Sequence, residues 1–211
     1  MENAIEARLK KVGESQESPA RKCAFPIAGG VYDGLWVDGL PNGKGKYITP
    51  LMSFEGDFRN GSLRGRGTAK FTTGASYTGE WVNGAMDGQG IYVNVTGDKY
   101  VGSFKRDRYH GNGKMEYKNG DLYVGKFLNS MAHGKGRLEF KKGDYFCIFD
   151  GHFEEGLYHG EGTLKAYLNW SKEREAGILA WIYTGDWKFG KKHGKGTLKK
   201  PGGKTEEKGA E

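Results

Sequence analysis

The chain has 211 residues, which is enough for one large domain or two small ones. Only 36% of its residues are hydrophobic, while 13% are aromatic and 37 are glycine, against roughly 15 glycines in an ordinary chain of this length. Apolar burial must therefore rely on rings, which favours strands and tight turns over a thick aliphatic core. The net charge of +7 is divided among alternating basic and acidic segments. This pattern argues against a nucleic-acid-binding protein, in which positive charge gathers on one face.

The sequence also argues against secretion and membrane insertion. Two cysteines, Cys23 and Cys147, are too few for a disulfide framework, so we expect free thiols in a reducing compartment. No run reaches the 18 or so apolar residues that a membrane span needs, and the first residues lack the basic and apolar parts of a signal peptide. We therefore expect a cytoplasmic protein.

Residues 1–30 form an N-terminal segment. Ile5, Leu9 and Val12 recur at helical spacing and Gly13 follows them, which predicts a short helix over residues 2–12 before a polar linker over 13–22. The sequence leaves three alternatives open, namely a frayed tail, a cap on the first strand of the following region, or a partner-binding helix.

A repeat fills residues 31–200. Each of seven copies opens on an aromatic residue, here called position 0, and carries a second ring at position 4 and glycines at positions 2, 11 and 13. Seven matches at all five positions exclude coincidence. The rings at positions 0 and 4 are Tyr32 and Trp36, Phe54 and Phe58, Tyr77 and Trp81, Tyr100 and Phe104, Tyr123 and Phe127, Phe149 and Phe153, and Tyr183 and Trp187.

The spacing of these positions predicts strands. Positions 0, 2 and 4 share one face of a strand, so the rings form an aromatic stripe over glycines that have no side chain. The other face is polar, with acidic residues such as Asp57 at position 3 and basic residues such as Lys44 at position 12. Turn signals such as Asn119-Gly120 separate the copies. We predict an all-β fold, an elongated single-layer antiparallel sheet of seven stacked hairpins.

The repeat resembles the MORN (membrane occupation and recognition nexus) motif, Tyr-x-Gly-x-Trp-x-x-Gly followed by His-Gly-x-Gly. Residues 77–84 match the first half fully, and residues 133–136 and 193–196 match the second. The resemblance covers residues 31 to about 200. Its departures are Asp107 and Ser130 in place of glycine, and Asn42, Arg64 and Asp87 in place of histidine.

The resemblance implies a binding or scaffolding role. MORN arrays occur in junctophilins, plant phosphatidylinositol phosphate kinases, a histone lysine methyltransferase, radial-spoke proteins of cilia and small proteins of protist cytoskeletons. Where a member is an enzyme, a separate domain carries the chemistry. We accordingly predict no catalytic residue and no cofactor, although the chain could still serve as a subunit of an enzyme complex.

The last interval between copies is longer than the others. Residues 167–182 predict an enlarged hairpin with a charged tip, which contains Trp170 and Trp181. These tryptophans either close the end of the aromatic stripe or form a partner site, because tryptophan is enriched at binding hot spots. Residues 201–211 are typical of a disordered tail.

Four histidines, His110, His133, His159 and His193, share position 10. Equivalent positions of neighbouring copies lie two strand spacings apart, about 9–10 Å, whereas zinc–nitrogen bonds are about 2.0–2.1 Å long. Neighbouring histidines therefore cannot share one ion, and we predict a structural role in the turn rather than a metal site.

Two functional hypotheses remain from the sequence. The first is a scaffold or adaptor that binds a protein partner in a ciliary, flagellar or other cytoskeletal assembly, with Trp170, Trp181, Lys188, Lys191 and Lys192 as candidate contacts. The second is a peripheral membrane protein that binds acidic phospholipids through basic positions, with Lys141 and Lys142 added to the three lysines. Exposed edges of the terminal strands also predict a homodimer.

Overall fold

The computed structural model describes residues 17–25, 29–173, 175–203 and 205–210. All regular elements within these ranges are β-strands, which confirms the all-β prediction. The chain divides into two compact units, residues 1–88 and 89–211. The helix that we predicted over residues 2–12 lies outside the described residues.

The first unit contains the strands β1 to β6. Their bounds are Glu17–Phe25, Gly30–Val37, Leu40–Ile48, Met52–Arg59, Ser62–Phe71 and Ser76–Val82. Strand β7, Ala85–Val93, crosses the boundary between the units. The second unit contains β8 to β16, with bounds Lys99–Lys105, Arg108–Glu116, Leu122–Leu128, Met131–Lys142, Tyr145–Glu154, Leu157–Ser171, Ala176–Lys188, Lys191–Lys199 and Glu206–Ala210.

Within each unit, strands that follow one another in the chain pair antiparallel, so every copy is a hairpin stacked on the next. The enlarged hairpin consists of β13 and β14, which remain paired as far as Ser171 and Ala176. Lys172, Glu173 and Glu175 lie in the turn between them, which gives the hairpin its charged tip.

Two strands lie where the sequence predicted irregular backbone. Strand β1 runs through the expected polar linker and pairs with β2, and β16 lies in the expected disordered tail and pairs with β15. The prediction was wrong at these two places because an edge strand offers a row of unpaired N–H and C=O groups. The neighbouring segment of the chain can pair with these groups through its backbone alone, even if its side chains do not alternate between apolar and polar.

Each hairpin turns at positions 6 and 7, here called its tip. Both residues have positive φ at all seven tips, as in a type I′ turn, for example Asn83 at 51° and Gly84 at 83°. Asp107 and Ser130, which replace glycine at position 7, keep the same conformation at 65° and 69°. The tip therefore has one geometry throughout the repeat, whatever residue occupies it.

A hydrogen bond joins each tip to the preceding copy within a unit. The N–H at position 7 donates to the carbonyl at position 9 of that copy, as from Gly61 to Pro41 at 2.9 Å and from Gly190 to Tyr158 at 3.0 Å. Gly84, Ser130 and Gly156 make the same bond, to Leu63, Tyr109 and Ala132. Neighbouring tips are therefore fixed side by side along one end of the strands.

The aromatic stripe is the core. Thirteen of the fourteen rings at positions 0 and 4 are buried, and Trp36 is half-buried. Within each unit, the position 4 ring packs edge-to-face on the position 0 ring of its own copy and on that of the preceding copy. Phe127, for example, lies 5.0 Å from both Tyr123 and Tyr100 between ring centroids. Trp36 belongs to the first copy, so no earlier position 0 ring covers it.

Glycines form a row beneath these rings. The glycine at position 2 pairs with that at position 13 of its own copy and of the copy before, as Gly125 does with Gly136 and Gly113. A Cβ atom on Gly102 would lie 2.6 Å from the Tyr100 hydroxyl oxygen and 2.7 Å from the Cα of Gly113. The bare backbone is what allows the position 0 ring to lie flat against the sheet.

The tyrosines at position 0 also anchor the backbone. Tyr123 donates its hydroxyl to the carbonyl of Lys126 at 2.9 Å, and Tyr77 and Tyr100 make the equivalent bond. Burial raises the pKa of Tyr123 to about 12, so the hydroxyl keeps its proton across the neutral range. Among the described residues, the Tyr183 hydroxyl is buried without a hydrogen-bond partner.

This contrast predicts opposite outcomes for one chemical change. Tyr123→Phe should lower the free energy of unfolding by about 1 kcal/mol, because the Lys126 carbonyl loses its donor. Tyr183→Phe should leave it unchanged or raise it slightly, since no hydrogen bond is lost. Urea denaturation followed by circular dichroism measures both. Equal effects for the two variants would contradict the assigned role of the hydroxyl.

Candidate binding surfaces

The side of the sheet opposite the rings is the polar face. Positions 1, 3, 12 and 14 supply its side chains, and the register places position 12 opposite position 3 of the next copy, as Lys44 lies opposite Asp57. In the first unit, acidic and basic residues therefore face each other across the junction between copies, as Lys44 and Asp57 do, whereas in the second unit Glu161 lies opposite Asp186.

A groove of about 840 Å³ opens on this face in the first unit. Lys44 reaches Asp57 at 3.0 Å, and the backbone N–H of Arg66 donates to the same carboxylate at 3.0 Å. The bond from Lys44 and then that from Arg66 lower the pKa of Asp57. Thr68 and Thr78 share a hydrogen bond of 3.0 Å further along. The floor is backbone of Gly45, Gly56, Gly67 and Gly79.

A second groove, of about 620 Å³, opens on the polar face of the second unit. As in the first groove, two threonines share a hydrogen bond, here Thr163 and Thr184 at 3.1 Å. Charged and polar side chains complete the lining, with glycine backbone between them: Lys135, Asp150, His152, Glu161, Asp186 and Lys195. Both grooves thus offer carboxylates, ammonium groups and hydroxyls at fixed spacing on a rigid sheet, which suits recognition of a polar, mixed-charge surface.

The structure does not bring Trp170 and Trp181 together. Trp170 stacks on Phe146, with ring centroids 4.6 Å apart, whereas Trp181 lies beside Lys192 on the face of the aromatic stripe. Phe146 is three residues before the stripe residue Phe149 on an uninterrupted strand, so Trp170 lies on the opposite face. The two tryptophans therefore do not form one partner site together, and they do not together close the end of the aromatic stripe.

The three candidate lysines of copy 7 have different surroundings. Lys192 places its Nζ 4.1 Å from the centroid of the Tyr183 ring, a cation–π contact on the stripe. Lys188 and Lys191 are exposed and lie opposite each other on either side of the tip. These two lysines therefore flank the tip, whereas Lys192 lies on the aromatic stripe.

Lys141 and Lys142 lie far from that tip. They end β11, a strand of twelve residues that begins at the tip end with Met131. At about 3.3 Å per residue, the two ends of such a strand are about 36 Å apart. The basic residues of the lipid hypothesis therefore occupy opposite ends of the strands in this unit.

The four histidines at position 10 each precede a glycine with positive φ, at 57° to 64°. They lie in the irregular part of the return strand, beyond the turn at positions 6 and 7. Within the described residues, no group of three His, Cys, Asp or Glu side chains is placed to hold a metal ion.

Two features escaped the sequence reasoning. Position 9 packs on the ring at position 0, as Tyr109 stacks on Tyr100 at 4.0 Å and Tyr158 on Phe149 at 3.9 Å. The second feature is Phe189, whose side chain is 65% exposed at the tip of copy 7. Comparison of the copies could have found it, because the other tips carry Asp, Asn, Arg or Glu at position 6.

Stacked aromatic–glycine hairpins of this kind define a class of β-repeat proteins. A scan against protein families matches seven segments of the chain to the MORN repeat, and these segments cover most of it: residues 32–50, 54–76, 77–99, 100–122, 123–145, 149–166 and 183–205. The chain therefore belongs to the MORN-repeat family, as the resemblance indicated. A comparison with curated proteins returned no match.

The family is one of non-catalytic repeats, which are known in membrane-binding and protein-binding scaffolds. In the part of the chain that the structure describes, no helix is long and apolar enough to cross a membrane.

Proposed function

We propose that the chain is a non-catalytic scaffold or adaptor that binds protein partners through its MORN-repeat sheet. A cytoplasmic cytoskeletal assembly, such as a cilium or flagellum, is the setting that we propose for it. The proposal rests on one observation above all, that the polar face of each unit carries a groove of mixed charge on a sheet whose other face is occupied by the aromatic stripe. Mixed charges at fixed spacing favour a protein surface with complementary charges.

Affinity purification of the tagged chain at physiological salt tests this function. A groove variant, Lys135→Glu with Lys195→Glu, reverses two exposed charges of the second groove. A control variant, Lys105→Glu with Lys172→Glu, makes the same change of net charge outside that groove. We expect one stable protein partner with the wild type and the control, and at least about tenfold weaker recovery with the groove variant. No partner, or equal recovery with all three chains, contradicts the proposal.

A second candidate is binding to acidic phospholipids. The exposed pair Lys188 and Lys191 favours it, because each lysine near an anionic surface contributes about 1 kcal/mol. The distance of Lys141 and Lys142 from this tip weakens it. Flotation with phosphatidylserine vesicles at low and physiological salt separates the two functions, since absence of binding at low salt excludes the lipid candidate.

A homodimer is also proposed. Among the described strands, β1 pairs with β2 alone and β16 with β15 alone, so each has an edge that a second copy could extend. Sedimentation velocity over a range of concentrations tests this, and a monomer throughout contradicts it.

A further inference from the structure

The tip of copy 7 combines three unfavourable features. Phe189 has φ of 48°, a conformation that is unfavourable for a bulky side chain. The same ring is 65% exposed to solvent. Lys188 and Lys191 lie directly opposite each other across the hairpin, where like charges are destabilising. Strain and exposure that persist together at one site indicate that the site is kept for binding.

Phe189 lies beside aromatic, basic and aliphatic side chains. The centroid of the Phe189 ring lies 5.8 Å from that of the His159 ring. The Nζ atom of Lys188 lies 5.9 Å from the same Phe189 centroid. The adjoining tip of copy 6 presents Leu157, which is 46% exposed. The bond from Gly190 to Tyr158 fixes the tip of copy 7 on copy 6. An exposed ring, an aliphatic neighbour and two ammonium groups therefore stand at one corner of the second unit.

A cleft of about 450 Å³ lies beside this corner and includes His159 in its lining. His159 Nδ1 lies 3.1 Å from a carboxylate oxygen of Glu154, and His133 and His152 also line the cleft.

We infer that this corner, hereafter the Phe189 corner, binds an acidic protein segment in which an apolar side chain stands beside carboxylates. The apolar side chain packs on Phe189 and Leu157, and the carboxylates meet Lys188 and Lys191. This inference deepens the proposed function and rests on it, because it names the partner chemistry at one surface of the scaffold.

Charge favours a protein segment over an anionic membrane. Glu154 and Glu155 lie at the neighbouring tip, and Glu154 is two strand spacings or about 10 Å from Lys188. A flat anionic surface that reached Lys188 and Lys191 would meet these carboxylates as well. A peptide can place its acidic groups against the lysines alone.

Selection of short linear peptides from a displayed random library against the full chain tests the inference. We expect the enriched peptides to carry at least two acidic residues next to Leu, Phe or Trp. Phe189→Asn should weaken their binding about 30-fold, as for a hot-spot residue, while its melting temperature rises because Asn accepts positive φ. Lys188→Glu with Lys191→Glu should also abolish binding at low salt.

Ile178→Asn is the matched control, because Ile178 is 63% exposed on the enlarged hairpin and outside the corner. It should bind the enriched peptides as the wild type does. Enrichment of basic peptides, or equal affinity for wild type and Phe189→Asn, overturns the inference. Binding that depends on Phe189 with phosphatidylserine vesicles and not with the peptides also overturns it. If the peptides fail while affinity purification still recovers a groove-dependent partner, the scaffold function stands and the Phe189 corner alone is wrong.

Discussion

Gly102→Val should lower the free energy of unfolding by about 3 kcal/mol, at the upper end of the usual cost of overpacking. The first added carbon already meets the Asn112 carbonyl oxygen and the Gly113 Cα, each at 2.7 Å. These are backbone atoms of a paired strand, so they cannot rotate away as a flexible side chain does. Two further methyl groups would also push the Tyr100 ring off the sheet. Urea denaturation followed by circular dichroism measures the loss.

Gly203→Ala is the control for this substitution. Its added carbon would have only Lys200 nearby, at 3.6 Å, and its backbone is not in the left-handed region. We expect a change within about 0.5 kcal/mol, as for an ordinary surface substitution. A Gly102→Val protein as stable as this control would show that the glycine row does not limit the approach of the rings.

Trp187→Ala should cost about 3–5 kcal/mol, the range for removing a large buried ring. Trp187 packs on Phe149 at 5.3 Å, on Tyr158 at 5.2 Å and on Tyr183 at 5.2 Å between centroids. Its indole N–H also donates to the Gly162 carbonyl at 3.2 Å. The substitution removes most of the ring contact between copies 6 and 7. We therefore expect the last copy to unfold before the rest of its unit.

Trp36→Ala provides the comparison, since it removes the same side chain from the same repeat position. Trp36 is half-buried and packs on Tyr32 of its own copy at 5.4 Å. We expect a cost of about 1.5 kcal/mol or less, because less apolar area is lost. Equal costs for the two variants would contradict the view that packing on the preceding copy supplies most of the stability.

The aromatic stripe could be predicted because alternation along a strand has a period of two and the five positions recur without error. Tyr100, Gly102 and Phe104 lie on the face that this period assigns to them. The packing of position 9 could not be predicted in the same way. Its residues share no chemical type, since Pro41, Tyr109 and Lys192 all occupy it.

The enlarged hairpin shows where alternation fails. Strands β13 and β14 shift register between Ala166 and Tyr167 and again between Leu168 and Ser171. Each irregularity inserts unpaired residues, so side chains beyond it leave the face that counting along the chain predicts. For this reason Trp170 packs on Phe146 on one face and Trp181 lies on the other, although strict alternation along the two strands would put both on the face of the aromatic stripe. Strands β1 and β16 escaped prediction because their pairing is supplied by the neighbouring edge.

The contacts between copies have consequences for synthesis on the ribosome. Within each unit, the position 0 ring is covered by the position 4 ring of the copy that follows it in the chain, as Tyr123 is covered by Phe153. A newly made copy therefore has the ring contact from its own position 4 residue but lacks the second one until the next copy has left the exit tunnel. We expect a chain that stalls between copies to present one partly uncovered aromatic ring at its growing end, where chaperones can bind it.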